Sequence, residues 1–338
     1  MGCAKPLFLA DGGAAWPLSM AVENVRNPGG NGMASSCLAA ATRGIWLAFA
    51  LLAGVLALSA QAGTPGAWPA PPQAVRAPDG AVLDVGVLGA GEPLLLLTGY
   101  AMTSEMWDQT FVDELARSRR VILLDNVGMG PSRAPAGTAV SMRRMAEDAV
   151  AVLDALGIGR CDVLGWSMGG MIAQELALAH PQRVRSLVLL SSASEVAGLK
   201  PGLDRINAMD EASIRQAMFP PDWLGKHPEA AGRVAARPRP PDMAVIQGQL
   251  QALVHWEGAV DRLDRLQAPV MLLVGDDDWL CPPQASRDMH ARLSTRAGNP
   301  SVLVEFGQGS HWLMHQYPAV LAGLVGGHLA ALGQKPQP

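Results

Sequence analysis

The residues best placed to do chemistry are in Gly165-Trp166-Ser167-Met168-Gly169, and the chemistry is nucleophilic attack by the Ser167 hydroxyl. A serine can stand at the tip of a sharp strand-to-helix turn only if the residues two before and two after it lack side chains, because the backbone there is crowded. Gly165 and Gly169 meet that need. With 37 glycines in 338 residues the spacing also arises by chance, so the flanks decide. The run beginning at Cys161 reads as a strand, and Met171 to Pro181 has apolar residues at helical spacing with a proline to close it. Ser167 is therefore expected at a helix N-terminus, where the dipole and free amides favour a developing negative charge.

A serine hydroxyl needs a histidine to take its proton and an acid to orient that histidine. Among seven histidines, His311 follows a strand-like run, Ser301 to Phe306, and a glycine-rich loop, Gly307 to Ser310. That is the carboxyl end of a strand, where an open α/β sheet puts its site. His315, one helical turn on, is the runner-up. For the acid, the apolar run Val270 to Gly275 leads into Asp276-Asp277-Asp278, one of which should reach the histidine. Asp276 and Asp277 read better as a solvated turn capping the helix that begins near Pro283. Glu195 is the alternative acid. The order Ser167, Asp278, His311 is that of a nucleophile elbow followed by its acid and base.

Placing these groups requires a sheet. Ala81 to Leu88, Pro93 to Thr98, Val121 to Leu124, Val184 to Leu190 and Val270 to Val274 read as strands, several of them continuous apolar runs expected between helical layers. Helices are expected around Met106 to Arg117 and Met142 to Leu156. The pattern predicts a mostly parallel sheet built from βαβ units. From about 195 to 266 the rhythm breaks into short, proline-punctuated helical pieces, read as a cap insertion. Its Met209, Met218, Phe219, Trp223 and Trp256 either line a pocket or pack the insertion, and packing is the preferred reading for any one of them.

Residues 33 to 62 carry Met33, Arg43, an apolar run from Ile45 to Leu58 and then Ser59-Ala60-Gln61-Ala62, the pattern of a signal peptide cleaved after Ala62. The expectation is a start at Met33 and a periplasmic or secreted chain from residue 63 to 338. The alternative is a membrane anchor over residues 45 to 60, although the run is shorter than the ~20 residues a span needs. Loss of residues 1 to 62 moves the formal net charge from −4 to −5. No basic run suggests nucleic acid or anionic lipid as a partner. Cys161 and Cys281 are expected to be too far apart to pair, and their spacing offers no metal motif.

The sequence resembles the α/β-hydrolase family from about Ala81 to Leu332. Leu97-Thr98-Gly99-Tyr100 resembles the His-Gly-x oxyanion motif, with Thr98 where the family usually has histidine. Asp125 to Ser132 resembles the Asp-x-x-Gly-x-Gly-x-Ser loop, a structural position, so Asp125 is not counted as catalytic. Gly275 to Pro282 resembles the Gly-x-x-Asp-x-x-x-Pro acid loop, which picks out Asp278. Gly309-Ser310-His311 followed by Tyr317-Pro318 resembles the base loop. The resemblance implies an eight-stranded-type sheet flanked by helices with a helical cap, and an oxyanion hole made by the backbone amides of Tyr100 and Met168.

The function these readings imply is hydrolysis of a small, uncharged or apolar ester through a Ser167–His311–Asp278 triad and an acyl-enzyme, with no metal or organic cofactor. Perhydrolase or haloperoxidase-like chemistry and C–C bond hydrolysis are alternatives on the same triad. A ligand-binding protein without turnover is a third, against which three intact triad positions count. Serine at the elbow disfavours an aspartate-nucleophile dehalogenase.

Overall fold

Leu94, Leu95, Leu96 and Leu97 are fully buried, the pattern of a strand covered on both faces. Burial of each such side chain contributes about 1.5–3 kcal/mol. The computed structural model describes residues 72–135, 137–234, 242–296 and 301–333. The expected start at Met33, the signal peptide and the alternative anchor lie outside the described residues.

Eight strands form one sheet in the order β1-β2-β4-β3-β5-β6-β7-β8. They are β1 Pro72–Arg76, β2 Val82–Leu88, β3 Glu92–Leu97, β4 Arg119–Leu124, β5 Cys161–Trp166, β6 Val184–Leu190, β7 Val270–Gly275 and β8 Ser301–Phe306. β1 and β2 run antiparallel to their neighbours, and β3 to β8 pair in parallel. β1 lies ahead of Ala81, where the expected strands begin. It is a short edge strand, where a proline at the first position is tolerated.

The helix expected from Met106 begins later, as α1 Gln109–Ala116, because the Asp108 side chain accepts from the Phe111 amide at 3.1 Å and caps it there. A separate 3₁₀ turn, Ser104–Met106, precedes it. Helix α2, Met142–Ala155, is capped by Ser141, and α3, Met168–Ala179, follows β5 directly. β4 extends two residues beyond its expected start because Arg119 is paired in the interior. Asp162 on β5 accepts from Arg119 at 2.9 Å, from Arg185 at 2.9 and 2.6 Å and from Ser186 at 2.6 Å, which locks β4, β5 and β6 together.

Between β6 and β7 the chain leaves the sheet as α4 Lys200–Asn207, α5 Glu211–Ala217, α6 Pro221–Lys226, α7 Ala230–Arg233 and α8 Met243–Val254. The sheet resumes with β7, followed by α9 Pro283–Leu293, β8, α10 Leu313–Gln316 and α11 Pro318–Gly333. The excursion is fixed to the core by Glu175 on α3, which accepts from the Trp256 indole at 2.7 Å and from the Arg262 guanidinium at 3.0 Å. Phe219 and Trp223 stack at 5.6 Å inside it, as the packing reading expects.

Candidate active site

Ser167 has φ 55° and ψ −122°, a region L residues rarely occupy, and it ends β5 and begins α3. The turn closes because its glycines leave room. A Cβ on Gly165 would lie 2.3 Å from the Gly169 carbonyl oxygen, and one on Gly169 would lie 2.1 Å from that of Leu97. Gly170, which the sequence reading did not single out, is equally constrained, since a Cβ there would meet the Ser192 hydroxyl at 2.4 Å. Ser192 in turn donates to the Ser167 carbonyl at 2.8 Å, and the Ser167 amide donates to Leu190 at 2.9 Å.

His311 Nδ1 lies 3.0 and 2.9 Å from the two oxygens of Asp278, with both side chains buried. The amides of Leu280 and Cys281 donate to Asp278 Oδ1 at 3.1 and 2.8 Å, so the carboxylate is fixed before it meets the ring. Glu195 is exposed at the start of the excursion. His315 faces away: its Nε2 is 3.0 Å from the Met106 carbonyl, and its Nδ1 is 3.5 Å from Asp108. It ties the loop before α1 to α10.

Asp276 and Asp277 are exposed but do not cap α9, which begins at Pro283 after Pro282 without a side-chain cap. They serve the base loop instead. The Gly309 amide donates to Asp276 Oδ1 at 3.2 Å, and the Asp277 amide donates to the Gly309 carbonyl at 2.8 Å. The two loops approach so closely that a Cβ on Gly275 would lie 2.1 Å from the Gly309 carbonyl carbon. On the other side Gln316 accepts from the Ser310 amide at 2.6 Å and donates to the Gln308 carbonyl at 2.9 Å. Trp166, the residue before Ser167, donates its indole N–H to the His311 carbonyl at 3.1 Å. Nucleophile strand and base loop are thus joined directly, a link the sequence reading missed.

The loop after β3 abuts the nucleophile. A Cβ on Gly99 would lie 3.3 Å from that of Ser167. Tyr100 and Met168 share the lining of the Ser167 cavity, one on each side of the serine in the chain. Thr98, in the place of the family's histidine, is fully buried. Its hydroxyl donates to the Met102 carbonyl at 3.3 Å and accepts from Asn126 Nδ2 at 3.3 Å. Asp125 is structural, as expected: it accepts from the Ser104 amide at 2.5 Å, and burial pushes its carboxyl up to about 6.

Ser167 and His311 line one cavity of about 30 Å³, together with Met102, Met171, Leu203, Ile206, Met218, Leu253, Leu280, Cys281 and Trp312. Leu203, Ile206, Met218 and Leu253 come from the excursion, which therefore roofs the site. Cys281, on the loop beyond β7, stands beside the nucleophile. Burial and the charge of Asp278 push its thiol well above the ordinary range, partly offset by the Ser167 hydroxyl. Cys161 and Cys281 are both free. Among the described residues no three His, Cys, Asp or Glu side chains are grouped to hold a metal ion.

A family model described as alpha/beta hydrolase fold matches residues 92–318. The chain is 34% identical over 257 residues to 2-hydroxymuconate semialdehyde hydrolase of Pseudomonas sp. strain CF600, covering 72% of this chain and 88% of that protein. It is 28% identical to the pimeloyl-[acyl-carrier protein] methyl ester esterase of Aeromonas hydrophila, covering 70% of this chain and 97% of the esterase. Among solved structures, a hydrolase from Pseudomonas aeruginosa PA01 superimposes with a TM-score of 0.66 at 26% identity, over 78% of this chain and 98% of that one.

Proposed function

The chain belongs to the alpha/beta hydrolase fold family, and from that premise we propose that it hydrolyses small, uncharged or apolar carboxylic esters with Ser167 as nucleophile. The observation that carries the reading is the buried His311–Asp278 pair, whose histidine lines the same cavity as Ser167. With Nδ1 engaged by Asp278, Nε2 is the ring nitrogen left for proton transfer.

In this account Ser167 Oγ attacks the acyl carbonyl while His311 Nε2 accepts its proton, and Asp278 stabilises the imidazolium that results. The oxyanion is received by the backbone amides of Tyr100 and Met168, the second at the N-terminus of α3. Collapse expels the alcohol, protonated by His311. Water then repeats the sequence on the acyl-enzyme, with His311 as base, and releases the acid.

The ester reading draws support from the cavity: Met102 and Met171 of the core, with Leu203, Ile206, Met218 and Leu253 of the roof, offer an acyl group apolar walls, and among the described residues the lining contains no lysine or arginine. C–C bond hydrolysis is the second reading, favoured by the 34% identical relative. Its namesake substrate carries a carboxylate, for which the described lining residues offer no cationic partner. A series of p-nitrophenyl esters from acetate to octanoate, run beside a 2-hydroxy-6-oxo-dienoate, separates the two. Turnover of the esters alone is expected. Turnover of the dienoate with the esters untouched overturns the ester reading and leaves the fold assignment intact.

A further inference from the structure

The loop that carries Tyr100 is held from outside its own domain layer. Ala101 has φ 58°, and its amide donates to Gln249 Oε1 at 2.8 Å. Gln249 lies on α8 of the roof and is fully buried, and Ala101 is buried too. A buried side-chain amide in an apolar helix is costly unless its polar atoms are used. Gln249 Nε2 finds no acceptor among the described residues, so an apolar side chain here would be cheaper by packing alone. What glutamine supplies and leucine cannot is the acceptor for Ala101.

That bond ties the strained residue of the loop to the roof. The Thr98 hydroxyl bonds Met102 and Asn126 at 3.3 Å, the Met102 amide donates to the Gly99 carbonyl at 3.3 Å and the Tyr100 hydroxyl donates to Asn207 on α4 of the roof at 3.2 Å, while Ala101 sits in a backbone region that is strained for alanine. Four residues along the same helix, Leu253 reaches the Ser167 cavity, and beyond its end Trp256 and Arg262 grip Glu175 on α3. One helix of the roof is thus bonded to the Tyr100 loop and, through the following turn, to the helix that Met168 begins.

We propose that Gln249 is a positioning residue for the oxyanion loop, so that the Tyr100 amide takes its working place only with the roof seated on the core. This rests on the ester-hydrolase reading above for its catalytic consequence, and on geometry alone for the loop. A closed roof and a competent oxyanion hole are then one state, and a roof lifted for substrate entry or product exit leaves the hole disassembled.

The test compares Gln249→Met, which keeps shape and loses the acceptor, with Gln249→Glu, which keeps an acceptor oxygen in either protonation state. On p-nitrophenyl acetate the methionine variant is expected to lose about tenfold or more in kcat with KM within about twofold, since removing one oxyanion donor outright costs about 10²–10³. The glutamate variant is expected to recover most of it. Hydrogen exchange in the peptide spanning Tyr100 to Met102 reads the loop without turnover, and should quicken about tenfold in the methionine variant alone. Should that variant not fold, Gln249→Asn, one methylene too short, reads the same loss. Unchanged exchange and kcat in the acceptor-less variant overturn the proposal, as does a glutamate variant as impaired as the methionine one. A parent enzyme inactive on every ester contradicts the ester-hydrolase reading instead, while exchange still decides the loop.

Discussion

Asp278 meets His311 Nδ1 with both carboxylate oxygens, at 3.0 and 2.9 Å, in a setting from which water is excluded. The Leu280 and Cys281 amides already fix that carboxylate, so its role is to choose the tautomer and hold the ring. Asp278→Asn keeps the size and an acceptor oxygen but presents its amide to Nδ1. A fall in kcat of about 10³–10⁴ with little change in Tm is expected. Ester assays and thermal melts on the same preparation check it, and an active asparagine variant removes Asp278 from the mechanism.

The glycines divide into two groups with opposite outcomes. Gly169→Ala drives a Cβ to 2.1 Å from the Leu97 carbonyl oxygen, whereas Gly326, inside α11, has nothing within 4 Å of the position a Cβ would take. The first is expected to prevent folding to a soluble protein. The second should stabilise the fold by about 0.5–1 kcal/mol through helix propensity. Expression yield and chemical denaturation test both, and a well-folded Gly169→Ala protein contradicts the elbow packing described.

Asp125 gives stability a pH dependence of unusual sign. Its folded pKa of about 6 lies above its ordinary 3.8, so the folded state prefers the protonated form. That contribution is complete below about pH 3.8 and disappears as pH rises through about 6, the reverse of a salt-bridged aspartate. Asp125→Asn, which still accepts from the Ser104 amide, should gain in Tm relative to the parent as pH rises from 4 to 7. A constant difference between the two over that range refutes it.

The strands between helical layers were readable because burial on both faces leaves continuous apolar runs, as in Leu94 to Leu97, and the elbow because its crowding admits glycine alone. Asp278 was legible through the spacing of its loop. Other features depended on partners far along the chain. Gln249 bonds a residue 148 positions away, and the Trp166 indole reaches a carbonyl 145 positions on, with no local pattern to mark either. β1 is a five-residue edge strand beginning at a proline, too short for alternation to register. Asp276 and Asp277 were misread as a helix cap because the loop they support, at Gly309, arrives from another strand.

Cys281 offers a test of the cavity wall. Buried, with its thiol pushed well above the ordinary range, it should not react with Ellman's reagent in the native protein. Cys161, pushed up to about 12 by burial, should be equally inert. Both should titrate on unfolding in a chain beginning at residue 63. Rapid native reaction at Cys281 means the roof over Ser167 stands open.

The mechanism stands on Ser167 being an activated nucleophile. Treatment of the protein with a fluorophosphonate probe, followed by peptide mapping, tests it directly, with Ser167→Ala as the companion. A single adduct on Ser167, absent from a correctly folded alanine variant that has also lost ester turnover, is expected. Labelling at another residue, or turnover that survives the alanine substitution, contradicts it.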